Sequence, residues 1–196
     1  MTSGAILAGG HARRFGGRDK SQLRVAGRTI LERQLDALEG VVDRIYLVGY
    51  PSPIVVPPRV SVIPDRTPGR GPLSGLDAAL SACGGHVLAL ACDMPNVTSA
   101  LLEYLIRQLA DTDADAVVPR TERGYHPLCA VYAQSCRTAV QRRLDAGSLR
   151  LQDLLADLTI RVVEESGLLR FGEADRLLAN VNSQADLDAL ESFQNH

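Results

Sequence analysis

Between Gly9 and Lys20 the chain carries four glycines, four cations and one acid, in the run Gly9-Gly10-His11-Ala12-Arg13-Arg14-Phe15-Gly16-Gly17-Arg18-Asp19-Lys20. Glycines let a main chain approach a ligand closely. Successive backbone N–H groups in such a loop form an anion-binding concavity. Arg13, Arg14, Arg18 and Lys20 add positive charge beside it. These types at this spacing offer a cradle for a polyphosphate; the plainer reading is a Gly-rich turn with solvated charges. A carboxylate, Asp93, follows the apolar run His86 to Cys92. A hard oxygen ligand there suits Mg²⁺, which takes one or two carboxylates together with phosphates and waters. The plainer reading is a turn or helix-entry aspartate. The helix that follows has its own cap in Thr98, which leaves Asp93 to other work.

Three further features call for placement. Asp65 precedes a second Gly-rich loop, Arg66 to Gly75. Asn180 and Asn182 flank Val181, so in an extended segment their side chains point the same way; the plainer alternative is that they shape a helix entry. His126, in Tyr125-His126-Pro127, reads more readily as a structural histidine than as a substrate contact.

Elements that would position these residues follow from apolar patterning. Ala5 to Leu7 reads as a buried strand that breaks into the first loop. Ser21 to Val25 reads as extended, turned by Gly27. Thr29-Ile30-Leu31-Glu32 has the spacing of a capping box, opening a helix with Ile30, Leu31, Leu35 and Leu38 inward and Gly40 at its end. Arg44 to Val48 and Val60 to Pro64 are strands, separated by an irregular segment with prolines at 51, 53, 57 and 58. A helix after the second loop carries Leu76, Ala79, Leu80 and Cys83. His86 to Cys92 is the most buried-looking strand, and Leu101, Leu102, Leu105, Ile106 and Leu109 make the next helix face. Strands over 115–119 and 128–132, helices over 135–146 and 149–158, and a strand over 160–164 complete the pattern. Ser183 with Asp186 resembles a capping box for a final helix through Leu187 and Leu190.

Strands alternating with helices predict an α/β fold: one three-layer α/β/α domain over 1–196 with a mostly parallel, Rossmann-like sheet. In a parallel sheet, loops at the carboxyl ends of strands share one rim, where ligands bind. Both Gly-rich loops and Asp93 fall on that rim. At 196 residues the chain can bury a substantial core, and 45% hydrophobic with 22% charged residues is ordinary globular composition. A net charge of −2 gives no reason to expect a nucleic-acid partner. No apolar run approaches the ~18 residues of a membrane span. No secretory signal is visible after Met1, so a cytoplasmic setting is expected. The four cysteines contain no C-x-x-C pair and do not cluster with the histidines, so they read as reduced, mostly buried thiols rather than zinc ligands.

The first loop fits neither the P-loop, which needs G-x-x-x-x-G-K-[ST], nor the dinucleotide fingerprint, which Gly9-Gly10-His11 breaks. Its pattern, L-A-G-G-x-x-x-R-x-G-G-x-D-K, resembles the nucleotidyltransferases that activate small phosphorylated molecules. Together with Asp65, Asp93-Met94-Pro95, the stretch Tyr125 to Ala130 and Asn180-Val181-Asn182, in this order, the chain resembles the molybdenum cofactor guanylyltransferases along nearly its whole length.

The resemblance implies transfer of GMP from GTP to the phosphate of molybdopterin, with release of pyrophosphate. It implies that Leu7, Ala8, Gly9 and Gly10 hold the nucleotide through main-chain groups, that Arg14 and Lys20 neutralise phosphates, and that Asp65 contacts the nucleotide. It further implies that Asp93 holds Mg²⁺ and that Asn182, with Asn180, lies near the metal or the pterin phosphate. Transient contact with molybdoenzymes or cofactor-delivery proteins is implied as well. One departure stands out: where some members carry an asparagine at the end of the second strand, this chain has Val48. The nearest rival is a CTP-dependent molybdopterin cytidylyltransferase, whose members tend to show Ala-Ala-Gly where this chain has Ala8-Gly9-Gly10. A sugar-1-phosphate nucleotidyltransferase is more distant. A non-catalytic cofactor carrier or nucleotide-binding partner is the alternative from another class.

Overall fold

Alternating burial along the strands sorts their side chains to two faces, and helices cover both. The computed structural model describes residues 1–8, 20–50 and 55–188. The chain forms β1 (Thr2–Leu7), a 3₁₀ turn (Lys20–Gln22), β2 (Arg24–Val25), β3 (Arg28–Thr29), α1 (Ile30–Leu38), β4 (Arg44–Val48), β5 (Val60–Ile63) and α2 (Gly71–Cys83). Then come β6 (His86–Ala91), α3 (Ser99–Ala110), β7 (Ala116–Thr121), β8 (Gly124–Tyr125), β9 (Cys129–Tyr132), α4 (Cys136–Asp145) and α5 (Leu151–Leu155). β10 (Ile160–Glu164), α6 (Glu165–Leu168), a 3₁₀ turn (Leu169–Phe171) and α7 (Ala174–Leu177) follow.

The main sheet runs β5-β4-β1-β6-β9-β7-β10, with β8 paired to β7. β1 is parallel to both β4 and β6, β4 to β5, and β7 to β10; β9 runs antiparallel to β6 and β7. The sheet is therefore mostly parallel, as expected. The chain leaves β1 toward β4 and β5, then returns to place β6 on the other side of β1. That reversal opens a crevice at the carboxyl ends of β1 and β6, where ligands bind in open α/β sheets.

Ile6, Ile45, Leu47, Leu88 and Leu90 pack with α1 and α3 on one face, while Ala5, Leu7, Tyr46, Val48, Val87 and Ala89 pack with α2, α4 and α5 on the other. A third, smaller cluster joins Val25 and Ile30 to Val181 and Leu187. It ties the segment after Lys20 to the strap that carries the two asparagines. No helix among the described residues is long and apolar enough to cross a membrane.

Several expectations need adjusting. The segment 21–25 is not extended throughout: it holds the 3₁₀ turn and one arm of the β2–β3 hairpin. Ala26 (φ 51) and Gly27 (φ 79) take the two left-handed positions that a tight hairpin turn favours. The helix expected over 149–158 is only Leu151–Leu155, because Arg150 is extended (ψ 128) at its start. β7 continues to Thr121, two residues past the expected end, because it pairs there with β8. Prolines 51 and 53 lie outside the described residues, and 55–57 carry no regular structure. Cys129 and Cys136 are buried and Cys83 and Cys92 half-buried; burial pushes the Cys129 and Cys136 thiols up to about 12.

Candidate active site

Asp93 stands at the switch point because β6 ends at Ala91 in register with Leu7, the last residue of β1. Its carboxylate is held from two sides. Lys20 Nζ donates to Oδ2 at 3.0 Å, and Asn180 Nδ2 donates to Oδ1 at 2.6 Å. Lys20 Nζ also donates to Asn182 Oδ1 at 2.7 Å. The Lys20 and Asp93 side chains are each 14% exposed, so the pair is shielded but open to a ligand. Val181 N–H donates to the Asp93 carbonyl at 2.8 Å, which fixes the strap and points both flanking asparagines at the carboxylate side. Asp186 secures the far end of the strap by accepting from the N–H groups of Asn182 and Ser183, both at 2.8 Å, while its own N–H donates to Ser183 Oγ. These bonds lower the Asp186 pKa, led by the one from Asn182. The capping box expected at Ser183 is present, before a helical turn over 184–188.

Of the sequence-predicted residues, the structure thus brings together Lys20, Asp93, Asn180 and Asn182. Leu7 and Ala8 adjoin them at the end of β1, and their main chain is already in use: Leu7 O accepts from Cys92 N–H at 3.3 Å, and Ala8 N–H donates to Val48 O at 3.0 Å. Ala8 can therefore offer a ligand its carbonyl. Val48 turns its side chain into the α2 face and gives its carbonyl to Ala8, which accounts for what replaces the asparagine of some relatives. Gly9, Gly10 and Arg14 lie outside the described residues.

Asp65 is placed differently. It follows β5, two strands from β1, and its Oδ1 accepts from Ser74 Oγ and, at 3.1 Å, from Thr67 N–H. Its carboxylate so closes the second loop onto the first turn of α2. Gly71 (φ +67) permits the turn into that helix, and Gly75 lets it sit close to β1, since a Cβ there would lie 3.3 Å from Leu7 Cδ2. Arg66 reaches Ser81 Oγ, and Arg70 donates to Leu144 O, so both loop cations are tied to helices.

A cavity of 390 Å³ adjoins the cluster, sharing Asn180 with it and lined further by Met94, next to Asp93 in the chain, and by Tyr125, His126, Arg150 and Gln152. His126 Nε2 is 2.9 Å from Thr121 Oγ1, and burial lowers its pKa, so the ring is neutral near pH 7. It is held structurally and faces the cavity as well. No motif marks Arg150 or Gln152, which sit at the start of a short helix. The turn carrying Asp93 also receives bonds from α1: Gln34 Nε2 donates to Ala91 O and Met94 O, and Arg33 Nε to Pro95 O. Gln34 had one cue, a polar residue one turn from Ile30 and from Leu38 on the buried stripe.

The oxygens that converge here suit a hard cation. Asp93 Oδ2 and Asn182 Oδ1 already share one cationic group, the Lys20 ammonium, so the donor set fits a small divalent ion. No cluster of three or more His, Cys, Asp or Glu occurs among the described residues; of the carboxylates there, Asp93 is bonded by both Lys20 and Asn180.

Comparison with known proteins decides the family. The pattern of the MobA-like NTP transferase domain matches residues 4–162. The chain belongs to this family. It is an enzyme, a nucleotidyltransferase. A molybdenum cofactor guanylyltransferase of Desulfosudis oleivorans is 30% identical, over 97% of this chain and 94% of its own. A probable molybdenum cofactor guanylyltransferase of Mycobacterium bovis is 37% identical, over 95% of this chain and 92% of its own. The crystal structure of molybdopterin-guanine dinucleotide biosynthesis protein A from Archaeoglobus fulgidus shares the fold, with a TM-score of 0.82 at 24% identity over 100% of this chain and 99% of that one. The match to the MobA-like family ends before Asn180 and Asn182, whereas both relatives align across nearly the entire chain.

Proposed function

We propose that this single nucleotidyltransferase domain transfers GMP from GTP to the phosphate of molybdopterin, in the cytoplasm, releasing pyrophosphate. The observation that carries the reading is the joint placement of Lys20, Asp93, Asn180 and Asn182 at the carboxyl ends of β1 and β6. The relatives' names supply the substrates.

In this reading the main chain of Leu7 to Gly10 seats the nucleotide, and Arg14 and Lys20 face its phosphates. Asp65 serves the nucleotide by holding the second loop in place beside α2. Asp93, with Asn182, holds Mg²⁺. When bound, Mg²⁺ supplies charge neutralisation on the phosphates of GTP. Asn180 and Asn182 orient the pterin phosphate, and the cavity beside Asn180 receives the pterin. The acceptor oxygen is already anionic, so no residue need act as a general base. It attacks the α-phosphorus; the new P–O bond forms as the bond to the β-phosphate breaks, and pyrophosphate leaves in line. Such transfers ask a protein mainly for positioning and charge stabilisation.

Calorimetric titration with GTP and with CTP, each with and without Mg²⁺, tests the reading. Selective, magnesium-dependent GTP binding, followed by pyrophosphate release on adding molybdopterin, is the expected result. Preference for CTP would move the protein to cytidylyl transfer. GTP binding without turnover would leave a carrier.

A further inference from the structure

We infer that Gln34 is a positioning residue for the metal-holding carboxylate, an inference that rests on the nucleotidyltransferase reading of the site. Gln34 lies in the middle of α1, and none of it is exposed. Its Nε2 donates to Ala91 O at 2.6 Å and to Met94 O at 3.1 Å. These two carbonyls bracket Asp93. Both can only accept, so the NH₂ end of the amide must face them, which fixes the orientation of the side chain.

The arrangement carries a cost. Gln34 Oε1 is buried with no hydrogen-bond partner among the described residues. A buried unpaired acceptor is unfavourable, and an apolar residue at this position would avoid it. Ile30 and Leu38, one turn away on either side, are apolar and fully buried. What the glutamine provides instead is a pair of donors that pin the turn from Ala91 to Met94 onto a capped helix. Arg33 Nε extends the grip to Pro95 O at 2.8 Å. From the opposite side Val181 N–H holds the Asp93 carbonyl. The turn is therefore held between α1 and the asparagine strap, and the carboxylate between them has one direction. Functional groups supported by rigid elements and buried hydrogen bonds hold their geometry better than groups on loops.

Gln34→Met keeps the side-chain length and removes both donors. Amide hydrogen exchange across residues 91–96 is expected to rise about tenfold, with β7 unchanged, as local opening would require. The Kd for Mn²⁺ in the GTP complex is expected to rise about fivefold, and kcat per folded molecule to fall about tenfold with KM for GTP within about twofold; a general loss of stability would shrink the folded fraction and leave both that Kd and that kcat unchanged. Val117→Ala, a core truncation in β7, serves as the stability control and should keep kcat. Wild-type exchange and Mn²⁺ affinity in Gln34→Met would overturn the inference, and so would an equal fall of kcat in Val117→Ala. Should Gln34→Met not fold, Arg33→Met removes the grip on Pro95 from a half-buried surface position. Faster exchange at 91–96 in that variant supports the clamp; wild-type exchange and kcat overturn it. If the wild-type protein transfers no GMP, the functional reading falls, while the exchange and Mn²⁺ measurements still decide the role of Gln34.

Discussion

Lys20 Nζ sits 3.0 Å from Asp93 Oδ2 and 2.7 Å from Asn182 Oδ1, bridging two residues that lie 73 and 162 positions further along the chain. The ammonium thus stands between the two oxygens best suited to a divalent ion.

Asp93→Ala should abolish transfer while leaving the fold intact. Asp93 caps no helix, since Thr98 accepts from Leu101 N–H to begin α3. Its carbonyl bond to Val181 N–H belongs to the main chain and survives the substitution. We expect kcat to drop by about 10²-fold or more, the scale of losing one preorganised electrostatic group. Circular dichroism should show a melting temperature within a few degrees of wild type, about the shift of 1 kcal/mol. Near-wild-type pyrophosphate release in this variant would remove Asp93 from the site.

Lys20→Met should have opposite effects on two ligands. Triphosphate binding should weaken, because a cation facing the phosphates is lost. Divalent metal binding without nucleotide should strengthen, because the positive charge beside Asp93 and Asn182 no longer competes. At the effective dielectric of a partly shielded site, two unit charges at 4 Å interact by about 4 kcal/mol, so even a fraction of this predicts about a tenfold fall in the Kd for Mn²⁺. Paramagnetic resonance of Mn²⁺ titrated into both proteins reads it directly. Equal Mn²⁺ affinity would mean that the lysine does not occupy the cation position.

The parts of this centre differ in how plainly the sequence announces them, and the reason is physical. Asp93 and the β1 and β6 strands are local signals: an apolar run, then an acid. The Thr29–Glu32 capping box is likewise local, and both of its reciprocal bonds form. The meeting of Asn180 with Asp93 is not local, because it depends on Val181 joining Val25 and Ile30 in a small cluster of their own. The antiparallel insertion of β9 between β6 and β7 leaves no trace in hydrophobic pattern, since a strand buried on both faces reads alike in either direction. Residues 165–178 show no extended periodicity because they form only single turns against α3, with Arg170 over the Tyr104 ring at 4.8 Å. Asp65 shows the converse: its sequence position is suggestive, yet its Oδ1 is engaged with Ser74 and Thr67.

His126 should give stability a pH dependence above the carboxylate range. Burial lowers its folded-state pKa below the ordinary 6.5. The unfolded chain therefore takes up a proton on passing below 6.5 while the folded chain does not. Stability rises with pH wherever the unfolded state binds more protons, so the protein loses stability as pH falls from 6.5 toward the folded value. Urea denaturation of the wild type between about pH 7 and pH 5 should show this slope, and His126→Gln should flatten it. A slope unchanged by the substitution would assign the acid sensitivity to other groups.

Arg150 should govern the acceptor and not the nucleotide. Among the described residues it is the one with a full charge lining the cavity beside Asn180, whose other polar lining includes Tyr125, neutral His126 and Gln152. A phosphorylated acceptor entering that cavity brings negative charge with it, and a guanidinium matches phosphate with two parallel N–H donors. Removing one charge-assisted hydrogen bond costs about 1.5–3 kcal/mol, so Arg150→Met should raise KM for molybdopterin by about tenfold or more. The KM for GTP should stay within about twofold if, as proposed, the nucleotide is seated by the main chain at the end of β1. Steady-state kinetics with each substrate varied in turn separates the two. A rise confined to the GTP constant would exchange the two subsites, placing the triphosphate in the cavity and the pterin over the end of β1.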